Sequence, residues 1–438
     1  MTKRAVNKSD IPTEVLDRIF GHCERHYRYV GWFHFLPKSR LHPLLLICKR
    51  WQNIAERRLY MCVSIGSDRA VRDKEGNRVS ITGRHVCERF CDTVQNNPRI
   101  ASLVRELHLS LPLELEPEDF KTRIRIVNIC KNVERIHFFD ILPSLVDDLK
   151  EALAKADLVS LHLTAMPDST QERRFSPAML LKLLPSWPRI ESVSATMGDE
   201  GIGTVTYDIY PDEEDDSDFP PAVGACPSLR AISIEGDYFK PSHLRFLSDI
   251  APNLESVEFN VQTECCNAAL RESLQVWSLS LKSLSISGYL FNTPFPEDEC
   301  PIIRSPLPQL RFLDMSAPLV VPSALRFLPA LETLLFHGGY SHCAELARLI
   351  DNGKMQSLTK LRVGLGWSES EPPESDKEKC FEMGKELRRV CGKRNVSVQF
   401  RNRFTTSTEL EGHSEEWEQS EEEATEPSDN DWKSTTRQ

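Results

Sequence analysis

No two cysteines in this chain are spaced C-x-x-C, and no stretch approaches ~18 uninterrupted apolar residues. P-loop, Gly-x-Ser-x-Gly and His-Glu-x-x-His motifs and paired zinc knuckles are equally missing. The missing apolar run argues against a membrane-spanning helix. The polar, basic start Met1 to Asp10 has no apolar region behind it, which predicts no secretory signal. Thirteen cysteines, an odd number scattered through 438 residues, form no disulfide framework and predict reduced, mostly buried thiols of cytosol or nucleus. None of them sits in an activating signature. Gly201-Ile202-Gly203 lacks the third glycine and the strand-to-helix setting of a dinucleotide site. The expectation is a chain without bond-making chemistry, catalytic residues, cofactor or metal of its own.

What is present divides unevenly. The net charge of −11 is concentrated at the C-terminus, where Thr405 to Gln438 hold eleven acidic residues against Lys433 and Arg437. The remainder carries only about −2, so its overall charge argues neither for nor against nucleic acid. The acidic segment, with Glu421 to Glu423 among Ser and Thr, holds too little apolar surface to fold. At 438 residues the chain exceeds one ordinary domain, and a small module beside an elongated one is the natural division.

The small module lies near the N-terminus. Asp10 reads as an N-cap and Pro12 as a first-turn proline, after which Val15, Leu16, Ile19, Phe20 and Cys23 form an apolar stripe. A second helix is predicted from Leu44 to Arg58, with Leu44, Ile47, Cys48, Trp51, Ile54 and Ala55 on one face. Two short amphipathic helices are not stable alone and must pack on something; a partner protein or the rest of the chain would serve. Ile11-Pro12-x-Glu14-Val15-Leu16-x-x-Ile19-Phe20, followed by Leu46-Ile47-Cys48-Lys49-Arg50-Trp51 and Ile54-Ala55-Glu56-x-x-Leu59-Tyr60, resembles an F-box of the fungal kind over Asp10 to Ser64. The resemblance implies a three-helix module docking on the Skp-type adaptor of a cullin-RING ubiquitin ligase. It also implies adaptor contacts at Ile11, Pro12, Leu16, Ile19, Phe20, Leu45, Cys48 and Trp51. Glu24 to His42, rich in aromatics, is longer than the family's usual link.

The elongated part is repetitive. Apolar-x-x-apolar-x-apolar recurs ten times, from Val104, Val133, Leu158, Ile190, Leu229, Leu254, Leu281, Leu310, Leu331 and Leu358, and an eleventh strand is expected at Val396 to Phe400. The alternation in each copy predicts a half-buried strand. Helical segments are expected between copies: Pro143 to Lys155, Ala178 to Leu184, His243 to Ile250, Asn267 to Trp277, Ala324 to Leu328 and His342 to Asp351. Pro188, Pro227, Pro252, Pro308 and Pro329, each two residues ahead of a copy, end the helix and set an extended entry. Strand, helix, strand at a near-fixed interval predicts parallel strands joined by crossovers, an α/β right-handed solenoid with the sheet inside and helices outside. This resembles leucine-rich repeats over about Ile100 to Phe400, without that family's asparagine or cysteine; the corresponding positions here include Asp237, Tyr289 and Gly339. The predicted organisation is therefore a flexible start at 1–9, the F-box-like module at 10–64, a linker with a helix at 65–99, the solenoid at 100–402 and a disordered acidic tail at 403–438.

In such a repeat the residues between the apolar strand positions project from the concave face. Here they include Glu106, His108, Arg135, His137, His162, Glu235, Glu258, Asp314, His337, Lys360 and Arg362, a polar surface of both signs suited to a protein substrate. The plainer reading is an ordinary solvated sheet face. His108, His137 and His162 share one position in successive copies and predict a histidine row whose mutual repulsion resists joint protonation, making partner binding sensitive to pH near 6–7, with zinc affinity as a lesser reading. His22, Cys23 and His26 lack further ligands nearby, and His85, Cys87 and Cys91 read as a linker helix facing the first repeat. The acidic stretch 211–218 lacks the glycine and closing glutamate of a calcium loop. Together these features lead to a substrate receptor of an adaptor–cullin ubiquitin ligase, binding proteins rather than nucleic acid or membrane, in cytoplasm or nucleus. The alternative is an interaction scaffold without ligase function.

Overall fold

A computed structural model describes residues 11–23, 41–72, 77–110, 116–139, 141–164, 175–196, 219, 222–261, 263–288, 302–316, 320–338, 340–365 and 374–400. Asp10, His26, the aromatic segment 24–40, Gly201-Ile202-Gly203, the acidic stretch 211–218, Tyr289, Gly339 and everything from 401 onward lie outside them, as does the side chain of Asp237.

The first helix, α1, spans Thr13–Gly21, with Pro12 in extended conformation at its cap. The second differs from the expectation. His42–Leu46 form a 3-10 turn, Cys48 is fully extended and helix α2 runs Lys49–Met61, so the expected single apolar face is interrupted at Ile47 and Cys48, which are exposed. Proline at the start of the 3-10 turn fixes the first dihedral, and the extended Cys48 breaks the helical path before α2 begins.

Helix α2 passes directly into a strand, β1 (Cys62–Ile65), followed by an antiparallel hairpin of β2 (Arg69–Arg72) and β3 (Arg78–Ile81). Helices α3 (Gly83–Asn96) and α4 (Pro98–Leu103) then lead to β4 (Glu106–Leu109). From there strands and crossovers alternate: β5 (Arg135–Phe139), β6 (Ser160–Thr164), β7 (Ser192–Thr196), β8 (Ala231–Phe239), β9 (Ser256–Val261), β10 (Ser283–Gly288), β11 (Phe312–Ser316), β12 (Thr333–Gly338), β13 (Lys360–Leu365) and β14 (Ser397–Phe400). All eleven expected strands form. With β1 they make a twelve-stranded sheet, every pair parallel, in the order β1, then β4 through β14 without a crossing. The fold is α/β, consistent with a solenoid. Residues 62–65, where the sequence pattern predicts no strand, pair as a strand of the large sheet.

The residues that open the ten copies are all buried, none more than 4% exposed. They join the apolar faces of the crossover helices in one continuous core. Among those helices are α6 (Val146–Ala154), α7 (Pro177–Leu183), α8 (Pro241–Ile250), α9 (Thr263–Val276) and α10 (Tyr340–Asp351), close to the expected bounds. Ser176 caps α7 by accepting from the Met179 amide at 3.3 Å. The crossover at 322–327 is a 3-10 helix rather than an α-helix. Its interval, from Leu310 to Leu331, is the shortest in the chain, and the steeper 3-10 rise spans the strand-to-strand path with fewer residues. Helices α5 (Pro117–Ile129) and α11 (Glu374–Lys393) complete the set. None of these, among the described residues, is long and apolar enough to cross a membrane.

Successive copies are fastened at the strand entrances. One carbonyl on each copy accepts from two consecutive amides of the next: Arg105 from Glu134 and Arg135, Glu134 from Val159 and Ser160, Glu191 from Arg230 and Ala231, Glu255 from Lys282 and Ser283. This backbone ladder pairs polar groups at a buried-edge position that would otherwise need a side-chain partner. Deeper, the Trp187 and Trp277 indole N–H groups donate to the Leu153 and Ala251 carbonyls at 2.9 and 3.1 Å.

Candidate functional site

Two surfaces stand out, and the residues that build each are different from those that support it. The N-terminal helices have their own small core of Leu16, Phe20, Leu41, Ile54 and Ala55, with Ile11, Leu44, Leu45, Trp51 and Leu59 against it. Phe20 meets the Trp51 ring edge-on, 5.3 Å between centroids. Asp17 on α1 is clamped by Arg57 and Arg58 of α2, and the Arg58 hydrogen bond leads in holding its carboxyl down to about 2, although its partial burial works the other way. Arg50 reaches back to the Ile11 carbonyl and to Thr13 Oγ1.

The eight residues implied as adaptor contacts therefore fall in two groups. Leu16 and Phe20 are core; Ile11, Leu45 and Trp51 are half-buried; Pro12, Ile19 and Cys48 are exposed. Val15 is 44%, Ile19 46%, Leu46 88% and Ile47 54% exposed. Val15 and Ile19, four apart, share one face of α1, opposite the clamp on Asp17 and beside the buried Leu16 and Phe20. Val15, Leu46 and Ile47 were absent from the implied contact set. The exposure of Leu46 and Ile47 goes with the extended Cys48 that ends the 3-10 segment, and that of Val15 with its place beside Ile19 on α1.

The second surface is the face of the sheet opposite the helices. In-register parallel pairing aligns equivalent residues into columns. One column runs Ser64, His108, His137, His162, Ser194, Ser233, Glu258, Ser285, Asp314, Leu335, Arg362, Gln399. Its neighbour runs Cys62, Glu106, Arg135, Ser160, Ser192, Ala231, Ser256, Ser283, Phe312, Thr333, Lys360, Ser397. In a third column on the same face Glu235 pairs with Thr196, and His337 with Ser316. Nine of the eleven residues read from the sequence as facing outward occupy the first two columns, and Glu235 and His337 lie in the third. Serines are the commonest residue through the middle, with Glu258 among them, and Glu106, Arg135 and the three histidines lie towards one end and Asp314, Lys360 and Arg362 towards the other.

The histidine row exists. His108 and His137 stack 4.2 Å apart at 20°, and His137 and His162 stand 5.3 Å apart at 36°. Glu106 accepts from His108 Nε2 at 2.6 Å, and Arg135 lies 3.7 Å from its other oxygen. The His108 contact is the main reason the Glu106 carboxyl lies below its usual range. Burial and, as expected, mutual repulsion within the row resist protonation of His137 and His162. Burial first, then His108 and His162, pulls His137 down to about 4, and burial and His108 lower His162 as well. Further along, Ser233 Oγ donates to Glu258 at 2.9 Å and Arg362 Nε to Gln399 at 2.8 Å.

Four thiols that face the core are held protonated. Burial raises Cys130 to about 12 and Cys226 and Cys391 to about 11, and it raises Cys91 on α3, which with Cys87 packs against the first repeat as expected. No protein-family model matches the chain, and no curated protein matches it.

Proposed function

We propose that this chain is the substrate-recognition subunit of an adaptor–cullin ubiquitin ligase, with an F-box-type N-terminal module and a leucine-rich-repeat-like solenoid. The observation that carries this reading is the apolar surface left on a very small helical module: Val15 and Ile19 on α1, and Leu46 and Ile47 after the 3-10 turn. A module with five buried core residues has little reason to expose four large aliphatic ones unless a partner covers them. The sequence around them is the part that resembles an F-box, so a Skp-type adaptor, and through it a cullin, is the partner of choice.

The chain's contribution is then proximity. The open sheet face holds a protein substrate, and the docked adaptor brings the charged ubiquitin carrier to it, raising the effective concentration of the reacting lysine. The polar columns with charges of both signs suit a protein partner bound by complementary contacts rather than a buried small molecule. Action in cytosol or nucleus follows from that partnership.

The test is binding of the purified full chain to a Skp-type adaptor by calorimetry, alongside an Ile19→Asp, Leu46→Asp double variant. Both positions are exposed, so the variant keeps its fold by circular dichroism. The expected result is tight binding by the natural chain and at least ~100-fold weakening in the variant, the loss of central apolar anchors. A folded natural chain that does not bind the adaptor would remove the ligase reading and leave an interaction scaffold.

A further inference from the structure

The strand the sequence hid, β1, brings a cysteine to the end of the histidine row. Cys62 stands in register with Glu106, and Ser64 with His108. The Cys62 sulfur, a Glu106 oxygen and a His108 ring nitrogen all lie within 4.8 Å of one another. We propose that these three residues bind a divalent transition ion of the zinc class, one ion per chain, independently of whether the chain serves a ligase.

The donor set is mixed in the way zinc accepts: a thiolate, an imidazole and a carboxylate, which calcium and magnesium would not share with a thiol. Each ligand is positioned by something other than the ion. Cys62 and Glu106 sit on adjacent parallel strands whose register is fixed by the core residues Val63 and Leu107 on the opposite face. The His108 ring is held flat against His137, and Glu106 is already drawn to His108 on one side and towards Arg135 on the other. The site opens outward: β1 is the terminal strand of the sheet and Cys62 is exposed, so a solvent molecule can take the fourth position of a tetrahedron. Binding releases the Cys62 thiol proton to solvent and breaks the Glu106–His108 hydrogen bond, the imidazole turning an unprotonated ring nitrogen to the metal, with no change of oxidation state. Because β1 continues from α2 without a break, the ion would also tie the N-terminal helices to the first full repeat.

Cobalt(II) is the probe, since its bond to a thiolate gives a near-ultraviolet charge-transfer band. The full chain, stripped with a chelator, is titrated with cobalt and then with zinc, beside Cys62→Ser and His108→Ala. The expected outcome is a band saturating at one equivalent, displaced by zinc, abolished in Cys62→Ser and weakened at least ~10-fold in affinity in His108→Ala, with all three proteins folded by circular dichroism. A folded natural chain giving no thiolate band overturns the proposal, and so does a band of unchanged strength in Cys62→Ser, which would put the metal on other cysteines.

Discussion

Replacing Phe20 by alanine separates the core of the N-terminal module from its surface. The module's core holds only Leu16, Phe20, Leu41, Ile54 and Ala55, and Phe20 is the largest of them at 1% exposure. Truncating a buried phenylalanine costs ~3–5 kcal/mol. Helix α1 has nine residues and no stability of its own, so nothing local replaces the lost contacts with Trp51 and Ile54. A loss of that size is enough to open the module while the sheet, with its separate and much larger core, stays closed. Ile19, one residue away, is 46% exposed, and Ile19→Ala should change stability by no more than ~0.5 kcal/mol. Hydrogen exchange read by mass spectrometry on fragments covering 13–21, 49–61 and 135–164 distinguishes the two variants. Phe20→Ala should abolish protection in the first two fragments and leave the third unchanged; Ile19→Ala should leave all three as they were. The reverse pattern would mean that α1 is rotated about its axis, with Ile19 inward and Phe20 on the docking face.

Other consequences are measurable on the same protein. The folded-state value of His137, about 4, lies below its ordinary 6.5, so the unfolded chain takes up the proton first. Stability should therefore fall as pH drops from about 6.5 to about 4, by up to about 3 kcal/mol, and level off below. The groups facing His137 are His108, His162, Glu106 and Arg135, so the comparison is urea unfolding of the natural chain against His137→Gln, with chelator throughout; parallel pH curves would refute the assignment to His137. Gly66 has φ +109°, and a Cβ there would collide with the Ser110 carbonyl, so Gly66→Ala should lower stability by at least ~2 kcal/mol, against no change if the turn relaxes freely. Asp17→Asn should loosen α1 by about 1 kcal/mol, a figure reduced because Arg57 is more than half exposed, and equal exchange rates at 13–21 would show that the clamp does nothing.

The repeats were legible because burial repeats. A leading apolar residue that enters the core in every copy leaves a mark at fixed spacing, and the prolines ahead of five copies sharpen it. The columns followed from the same register, so the histidine row could be read from three residues far apart in sequence. β1 could not. Its Val63 and Ile65 alternate over only four residues, straight out of a helix with no turn signal between, and look like the helix's last apolar residues. With β1 hidden, Cys62 had no place beside Glu106 and His108. In the N-terminal helices an apolar pattern identified the right residues and not their roles. On a short helix that is apolar on two sides, Leu16 and Ile19 read alike, and only the position of α2 decides which is buried.

The junction between the two parts bears on how a receptor would work. A tether that merely links an adaptor to a substrate raises effective concentration, but a flexible one spreads that gain over a large volume. Here the chain passes from α2 into β1 at Met61–Cys62 with no intervening residue. The Arg105 amide donates to the Met61 carbonyl at 2.9 Å, which places the end of the helix within the sheet's own hydrogen bonding. Arg99 on α4 meets Glu56 on α2 at 2.7 Å, a second tie from the first repeat to the helix. One exposed ion pair adds little by itself, whereas a backbone hydrogen bond next to a continuous helix-to-strand path fixes direction. The helices that carry Val15, Ile19, Leu46 and Ile47 are thus built onto the edge of the sheet whose open face carries the polar columns. A partner held by one surface would meet a partner held by the other in a defined orientation, which is the arrangement proximity-driven transfer requires.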